Sequence, residues 1–163
     1  MTINVMFVCL GNICRSPTAH SVFQHKVDEA GLGHKIYIES SGTGDWHLGK
    51  APDPRTMRAA KERGYDLSAL RGQQVKKQDF ERFDYIIAMD DSNLDDLRRM
   101  APADFSGYLG LFLEFGSGSE YREVPDPYYG EEDGFTLVLD LVEDAAEGLL
   151  AKVKQDLTER QLA

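Results

Sequence analysis

Residues 9–16 read CLGNICRS and follow the strand-like run INVMFV. Both cysteines of the chain, Cys9 and Cys14, lie in this loop, with Arg15 and Ser16 at its end. A Gly-containing loop between a strand and a helix N-terminus turns backbone N–H groups inward. The helix end adds partial positive charge, and Arg15 adds a planar fork of donors that grips two oxygens at once. Leu10, Gly11, Asn12, Ile13, Cys14, Arg15 and Ser16 therefore read as a cradle for a tetrahedral dianion, with Cys9 on its floor. The same field favours the thiolate of Cys9. A thiolate beneath a bound phosphate is placed for in-line attack on phosphorus. The charge of that transition state lies on the equatorial oxygens, the ones the cradle would hold.

Other phosphate loops fit less well. A nucleotide loop needs GxxxxGK[ST], and this loop has no Lys; a dinucleotide fingerprint needs three spaced glycines, and only Gly11 is present. Cys-x5-Arg alone is a weak signal. The strand before it, with Gly11, Asn12, Ser16 and Pro17, sets it apart from a buried, inert thiol.

Cleavage of an ester needs a proton for the leaving group. Asp126 lies in VPDPYYG between Pro125 and Pro127, which stiffen the chain around it. From the residues alone it is one of 28 acids, and a turn Asp is the plainer reading. His20, His25, His34 and His47 show no metal-ligand spacing and read as ordinary surface or cap residues.

The elements that must hold these groups follow from periodicity. Ile3 to Val8 suits a strand buried on both faces. Ser16 as N-cap and Pro17 at the first helical position start a helix that Gly31 ends. Strands are expected at 36–40, 83–89 and 108–113, and helices at 55–63 and 91–100. A last helix begins near Asp133 or Phe135, with Leu137, Leu141, Ala145, Leu149 and Val153 as its buried stripe and Val138, Val142, Leu150 and Leu157 widening it. Alternating strands and helices imply an α/β fold with a parallel sheet covered on both faces. Ligands bind such sheets at the carboxyl ends of strands, where CLGNICRS and MDDSN both lie. The two long loops, GTGDWHLGKAPDP and GSGSEYREVPDPYYGEEDG, read as functional.

A length of 163 residues suggests one domain, 1–163, and 42% apolar residues suffice for a core. A net charge of -10 argues against nucleic acid as a partner. Residues 1–82 carry a net +3 and residues 83–163 a net -13, so the cysteine loop lies in the basic half. No stretch is apolar enough to enter a membrane as a span, and the N-terminus lacks the basic region of a signal peptide. A cytoplasmic location is the expectation, and a reducing cytosol makes the cysteines reactive groups rather than a staple.

The segment CLGNICRSP resembles the active-site loop of the low-molecular-weight protein tyrosine phosphatases. The likeness continues through SSGTGDWHLG at 40–49, FDYIIAMDDSN at 83–93 and VPDPYYG at 124–130. It implies a three-layer α/β/α fold with a central four-stranded parallel sheet and the phosphate-binding loop after the first strand. It implies a two-step reaction through a phosphocysteine, with Cys9 and Arg15 catalytic and Asp126 as general acid and base, and no metal or organic cofactor. Trp46, Tyr128 and Tyr129 become the aromatic walls of a phosphotyrosine pocket, and the two tyrosines are candidate kinase targets. The substrate is a tyrosine-phosphorylated protein, with a bacterial tyrosine autokinase as candidate partner, acted on by a monomer or weak dimer. Asn12 and Ser16 would steady loop and thiolate. Cys14 is open between resolving an oxidised Cys9 and simple packing. Gln73 stands where the family often has Arg, and a His is common near Leu70, so no site role is assigned there. Three other readings compete. An arsenate reductase on the same fold would need further cysteines downstream to relay electrons, and Cys9 and Cys14 are the only two. A protein-arginine phosphatase tends to carry Thr where this chain has Ile13, and a silent phosphoprotein-binding or redox-sensing module would not need both nucleophile and acid.

Overall fold

The structure, a computed structural model, describes residues 2–118, 120–128 and 132–162. The run INVMFVC forms β1 (Ile3–Cys9), and alternation along it serves two cores. Ile3, Val5, Phe7 and Cys9 enter one, while Met6 and Val8 enter the other. That double burial is why the run is apolar at every position but Asn4 rather than alternating with polar residues.

β1 is joined by β2 (Ile36–Gly42), β3 (Tyr85–Ala88) and β4 (Tyr108–Leu111). All pairings are parallel, and the order is β2-β1-β3-β4. Helices α1 (Arg15–Glu29), α2 (Pro54–Glu62) and α5 (Glu132–Leu162) bury side chains in the core with Phe7. There Phe7 meets Phe23 edge-on at 5.6 Å between centroids and Phe112 at 5.1 Å. Helices α3 (Asp79–Arg82) and α4 (Asp91–Met100) cover the opposite face through Phe80, Leu94 and Leu97. From β1 the chain moves outward to β2, then crosses back to β3 on the other side. The carboxyl ends of β1 and β3 therefore flank a topological switch point, where open sheets of this kind bind ligands.

Several boundaries differ from expectation. Helix α1 begins at Arg15 with Cys14 at its N-cap, not at Pro17 behind Ser16. The Ser16 hydroxyl is committed to the Cys9 sulfur and the Ser41 carbonyl instead of to a cap. Strand β2 runs on to Gly42, and β3 is shorter than 83–89. Strand β4 stops at Leu111 because Phe112–Phe115 tightens into a 3-10 turn against α5. The four-residue helix α3 was not expected from periodicity, since one turn shows none. In α5, Leu139 and Ala146 join the buried stripe, while Leu137 and Leu141 lie half-buried at its edge.

Candidate active site

Cys9 ends β1 and is 2% exposed. The segment after β2 laces the loop that follows: Thr43 N donates to Cys9 O and Gly44 N to Leu10 O, both at 2.9 Å. A Cβ on Gly42 would sit 2.7 Å from the Leu10 carbonyl oxygen, so this close approach of backbones requires glycine there. Asn12 is the one described non-glycine residue with a left-handed backbone, at φ 58. Its side chain accounts for that conformation. Oδ1 accepts from Gln73 N at 2.9 Å and Nδ2 donates to Ser16 Oγ at 2.7 Å, while its own N–H donates to Cys9 Sγ at 3.3 Å. Ser16 Oγ stands 3.0 Å from the sulfur and 3.2 Å from the Ser41 carbonyl oxygen. Because it accepts from Asn12, its single proton is free to point at one or the other.

Arg15 is buried, and its guanidinium is fixed from two sides. Nη1 donates to Asp90 Oδ2 at 2.6 Å and to the Val124 carbonyl at 3.0 Å, and Nη2 lies 3.6 Å from Asp126 Oδ2. Burial works against the Arg15 charge, but Cys9, Asp90 and Asp126 together outweigh it and hold the guanidinium charged more firmly than usual. Asp126 sits on the loop before α5 with a third of its side chain exposed. Its Oδ1 accepts from Tyr128 N at 3.0 Å, which leaves Oδ2 turned towards Arg15.

These groups open on one cavity of about 430 Å³, lined by Cys9, Leu10, Gly11, Ile13, Cys14, Arg15, Trp46, His47, Asp126 and Tyr128. Trp46 is 64% exposed, and its ring lies over Gly44, where an added Cβ would fall 2.0 Å from it. Trp46 is therefore a wall and not core. Tyr128 lies 6.1 Å from the His47 ring, centroid to centroid. Tyr129 lies outside the described residues. Cys14 packs with Ile13 and Phe135 on the inner side of the loop. Burial pushes its thiol up to about 12, although the Thr56 hydroxyl opposes the shift. Cys14 thus stays a protonated thiol across the neutral range, and both cysteines are free.

Three participants were missed in the sequence. Asp90 holds Arg15, and only its position in MDDSN at a strand end pointed towards the site. His47 lines the cavity rather than the outer surface, carried there by the turn that places Trp46. Away from the cavity, His20 is half-buried rather than exposed: its Nδ1 lies 3.1 Å from Ser40 Oγ, and burial pushes it down to about 4 despite nearby Glu39. Gln73, given no role, fixes Asn12 through its backbone and bonds Glu39 and the Ser40 carbonyl through its side chain. Among the described residues no group of three His, Cys, Asp or Glu side chains is placed to hold a metal ion. Among them no helix is long and apolar enough to cross a membrane.

A cysteine beneath a buried arginine, at the switch point of a parallel sheet, is an architecture for phosphate monoesters. Residues 4–159 match the family described as low molecular weight phosphotyrosine protein phosphatase. A low molecular weight protein-tyrosine-phosphatase of Streptomyces coelicolor is 43% identical over 98% of this chain and 99% of its own. A protein tyrosine phosphatase from Entamoeba histolytica superposes with a TM-score of 0.92 at 38% identity, covering 95% of this chain and 99% of that one. YfkJ from Bacillus subtilis superposes with a TM-score of 0.89 at 38% identity, covering 96% and 97%. The chain belongs to this family of low molecular weight protein tyrosine phosphatases.

Proposed function

We propose that the protein hydrolyses phosphotyrosine and small aryl phosphates through a phosphocysteine on Cys9, with Asp126 as general acid and then general base. One observation supports this most directly: Cys9, Arg15 and Asp126 converge on a single cavity whose walls include Trp46 and Tyr128. The amides of residues 10–16 and Arg15 hold three phosphoryl oxygens. The Cys9 thiolate attacks phosphorus, an S–P bond forms and the P–O bond to the phenol breaks. Asp126 gives its proton to the departing phenolate oxygen. The Asp126 carboxylate then takes a proton from water as that water attacks phosphorus. The S–P bond breaks, and inorganic phosphate leaves with the thiolate restored. Asn12 and Ser16 steady the sulfur between steps, since their donors reach it at 3.3 and 3.0 Å.

The flat walls of Trp46 and Tyr128 suit a phenyl ring, and a cavity of about 430 Å³ is of ligand size. The physiological substrate on this reading is a tyrosine-phosphorylated protein of the cytoplasm, with a bacterial tyrosine autokinase as candidate. Residues 1–163 act as one domain, monomeric or weakly dimeric.

The test is to trap the intermediate. Asp126→Ala, mixed with p-nitrophenyl phosphate and quenched in acid, should carry phosphate on the peptide containing Cys9 when mapped by mass spectrometry. Phosphate on any other residue, or none while nitrophenol is released in a burst, contradicts the mechanism.

A further inference from the structure

We infer that Arg55 is the positioning residue of the general acid: it fixes Tyr128, and through Tyr128 the carboxyl of Asp126, relative to the phosphate cradle. The inference rests on Asp126 being the acid.

Arg55 is the second residue of α2, and the helix cap holds it. Asp53 caps the helix by accepting from Arg55 N at 2.8 Å, and its two oxygens also accept from Arg55 Nε at 3.1 Å and Nη2 at 3.0 Å. Asp53 is itself tied to the cradle, because its N–H donates to the Ile13 carbonyl at 2.9 Å. One side of the guanidinium is therefore anchored to the phosphate loop.

The other side reaches the acid loop. Nη2 donates to the Tyr128 carbonyl at 2.8 Å, and the guanidinium carbon lies 5.6 Å from the Tyr128 ring centroid and 4.9 Å from that of Phe135. Tyr128 in turn donates its N–H to Asp126 Oδ1. A continuous path thus runs from Ile13 through Asp53, Arg55 and Tyr128 to Asp126. Arg55 does not line the catalytic cavity, so it has no direct hold on the phosphoryl group. The position asks for arginine in particular. Only a planar guanidinium pairs with both oxygens of Asp53, donates to a carbonyl and stacks on rings together; a lysine ammonium has no plane to do so.

An acid held in place matters most when the leaving group is basic. A nitrophenolate departs with little help, whereas a phenolate needs the proton. The value of kcat/KM covers the steps through leaving-group departure, so it reports this difference.

Arg55→Lys and Arg55→Met are to be assayed on phenyl phosphate and p-nitrophenyl phosphate, with inorganic phosphate as competitive inhibitor and Asp126→Asn in parallel. Arg55→Lys keeps a cation beside Asp53, so it tests the inference even where Arg55→Met folds poorly. The expected result is a loss of about tenfold or more in kcat/KM for phenyl phosphate, against less than about threefold for p-nitrophenyl phosphate. The inhibition constant of phosphate should stay within about twofold, since the cradle keeps its own contacts. Asp126→Asn should show the same pattern more strongly. Equal losses on both substrates, no loss on either, or weakened phosphate inhibition in step with the rate would overturn the positioning role. A flat response of Asp126→Asn to the leaving group would instead overturn the acid assignment beneath it.

Discussion

Asp90 divides its carboxylate between Arg15 and the start of α4. Oδ2 accepts from Arg15 Nη1 at 2.6 Å, while Oδ1 accepts from Asn93 N at 2.8 Å and caps the helix. One side chain thereby orients the main cation of the site and locks that orientation to a rigid element. The two duties can be separated. Asparagine caps helices as well as aspartate does, but it brings no charge to Arg15.

Asp90→Asn should therefore lower kcat/KM for aryl phosphates by roughly ten- to a hundredfold, the scale of a hydrogen bond between charged groups. Its melting temperature should lie above that of Asp90→Ala, which also loses the cap, worth about 1 kcal/mol. At this chain length that difference is about 2–4 °C. Equal melting temperatures for the two variants, measured by calorimetry, would contradict the double role.

His20 makes stability depend on pH. Its ordinary value of 6.5 is pushed down to about 4 in the folded chain, first by burial, with Glu39 opposing. Between those values the unfolded chain binds more protons, so stability is fully present above 6.5 and is lost as pH falls towards 4. The contribution is at most about 3 kcal/mol. Urea unfolding at pH 7 and pH 4.5 should show a drop for wild type that is smaller in His20→Gln; parallel drops would contradict it.

The two cysteines should differ in reactivity. Cys14, pushed up to about 12 by burial, has almost no thiolate near neutrality. Brief treatment with iodoacetamide at pH 7.5, followed by peptide mass mapping, should label Cys9 alone, and inorganic phosphate should slow that labelling. Labelling of Cys14 at a comparable rate would show that its burial is not maintained.

Trp46 should matter for the aryl group and not for the phosphate. Trp46→Ala is expected to lower kcat/KM on a phosphotyrosine peptide by about tenfold, the scale of one aromatic contact. At 64% exposure the ring contributes little to the core, so the melting temperature should hardly move. Inhibition by inorganic phosphate should be unchanged, and a parallel loss there would mean that the ring supports the cradle itself.

What the sequence made legible was local. Cys9, Asn12, Arg15 and Ser16 are close together in one loop, so the strand, the turn and the presence of a helix after it could be read together, though not that helix's first residue; the α4 span 91–100 could be read as well. What it hid was long-range. Arg15 and Asp90 are 75 positions apart, and Arg55 and Tyr128 are 73 apart. No periodicity links such pairs; Arg15 and Asp90, for instance, meet only once β1 and β3 are neighbours. Ser16 misled for a physical reason: a hydroxyl suited to an N-cap is equally suited to other partners, and here it stands 3.0 Å from the Cys9 sulfur and 3.2 Å from the Ser41 carbonyl oxygen. His47 was hidden because only the folded turn at 43–49 reveals which way its ring faces.

The most direct test of the central claim is steady-state hydrolysis of p-nitrophenyl phosphate, a phosphotyrosine peptide and a phosphoserine peptide, with reductant and without added metal. Wild type, Cys9→Ser and Asp126→Ala are compared. The account predicts that wild type cleaves both aryl substrates and spares phosphoserine, that Cys9→Ser is inactive while still binding phosphate, and that Asp126→Ala is slower by about a hundredfold or more on the peptide. Wild type that binds vanadate yet turns over no aryl phosphate, or Cys9→Ser that retains activity, would contradict it.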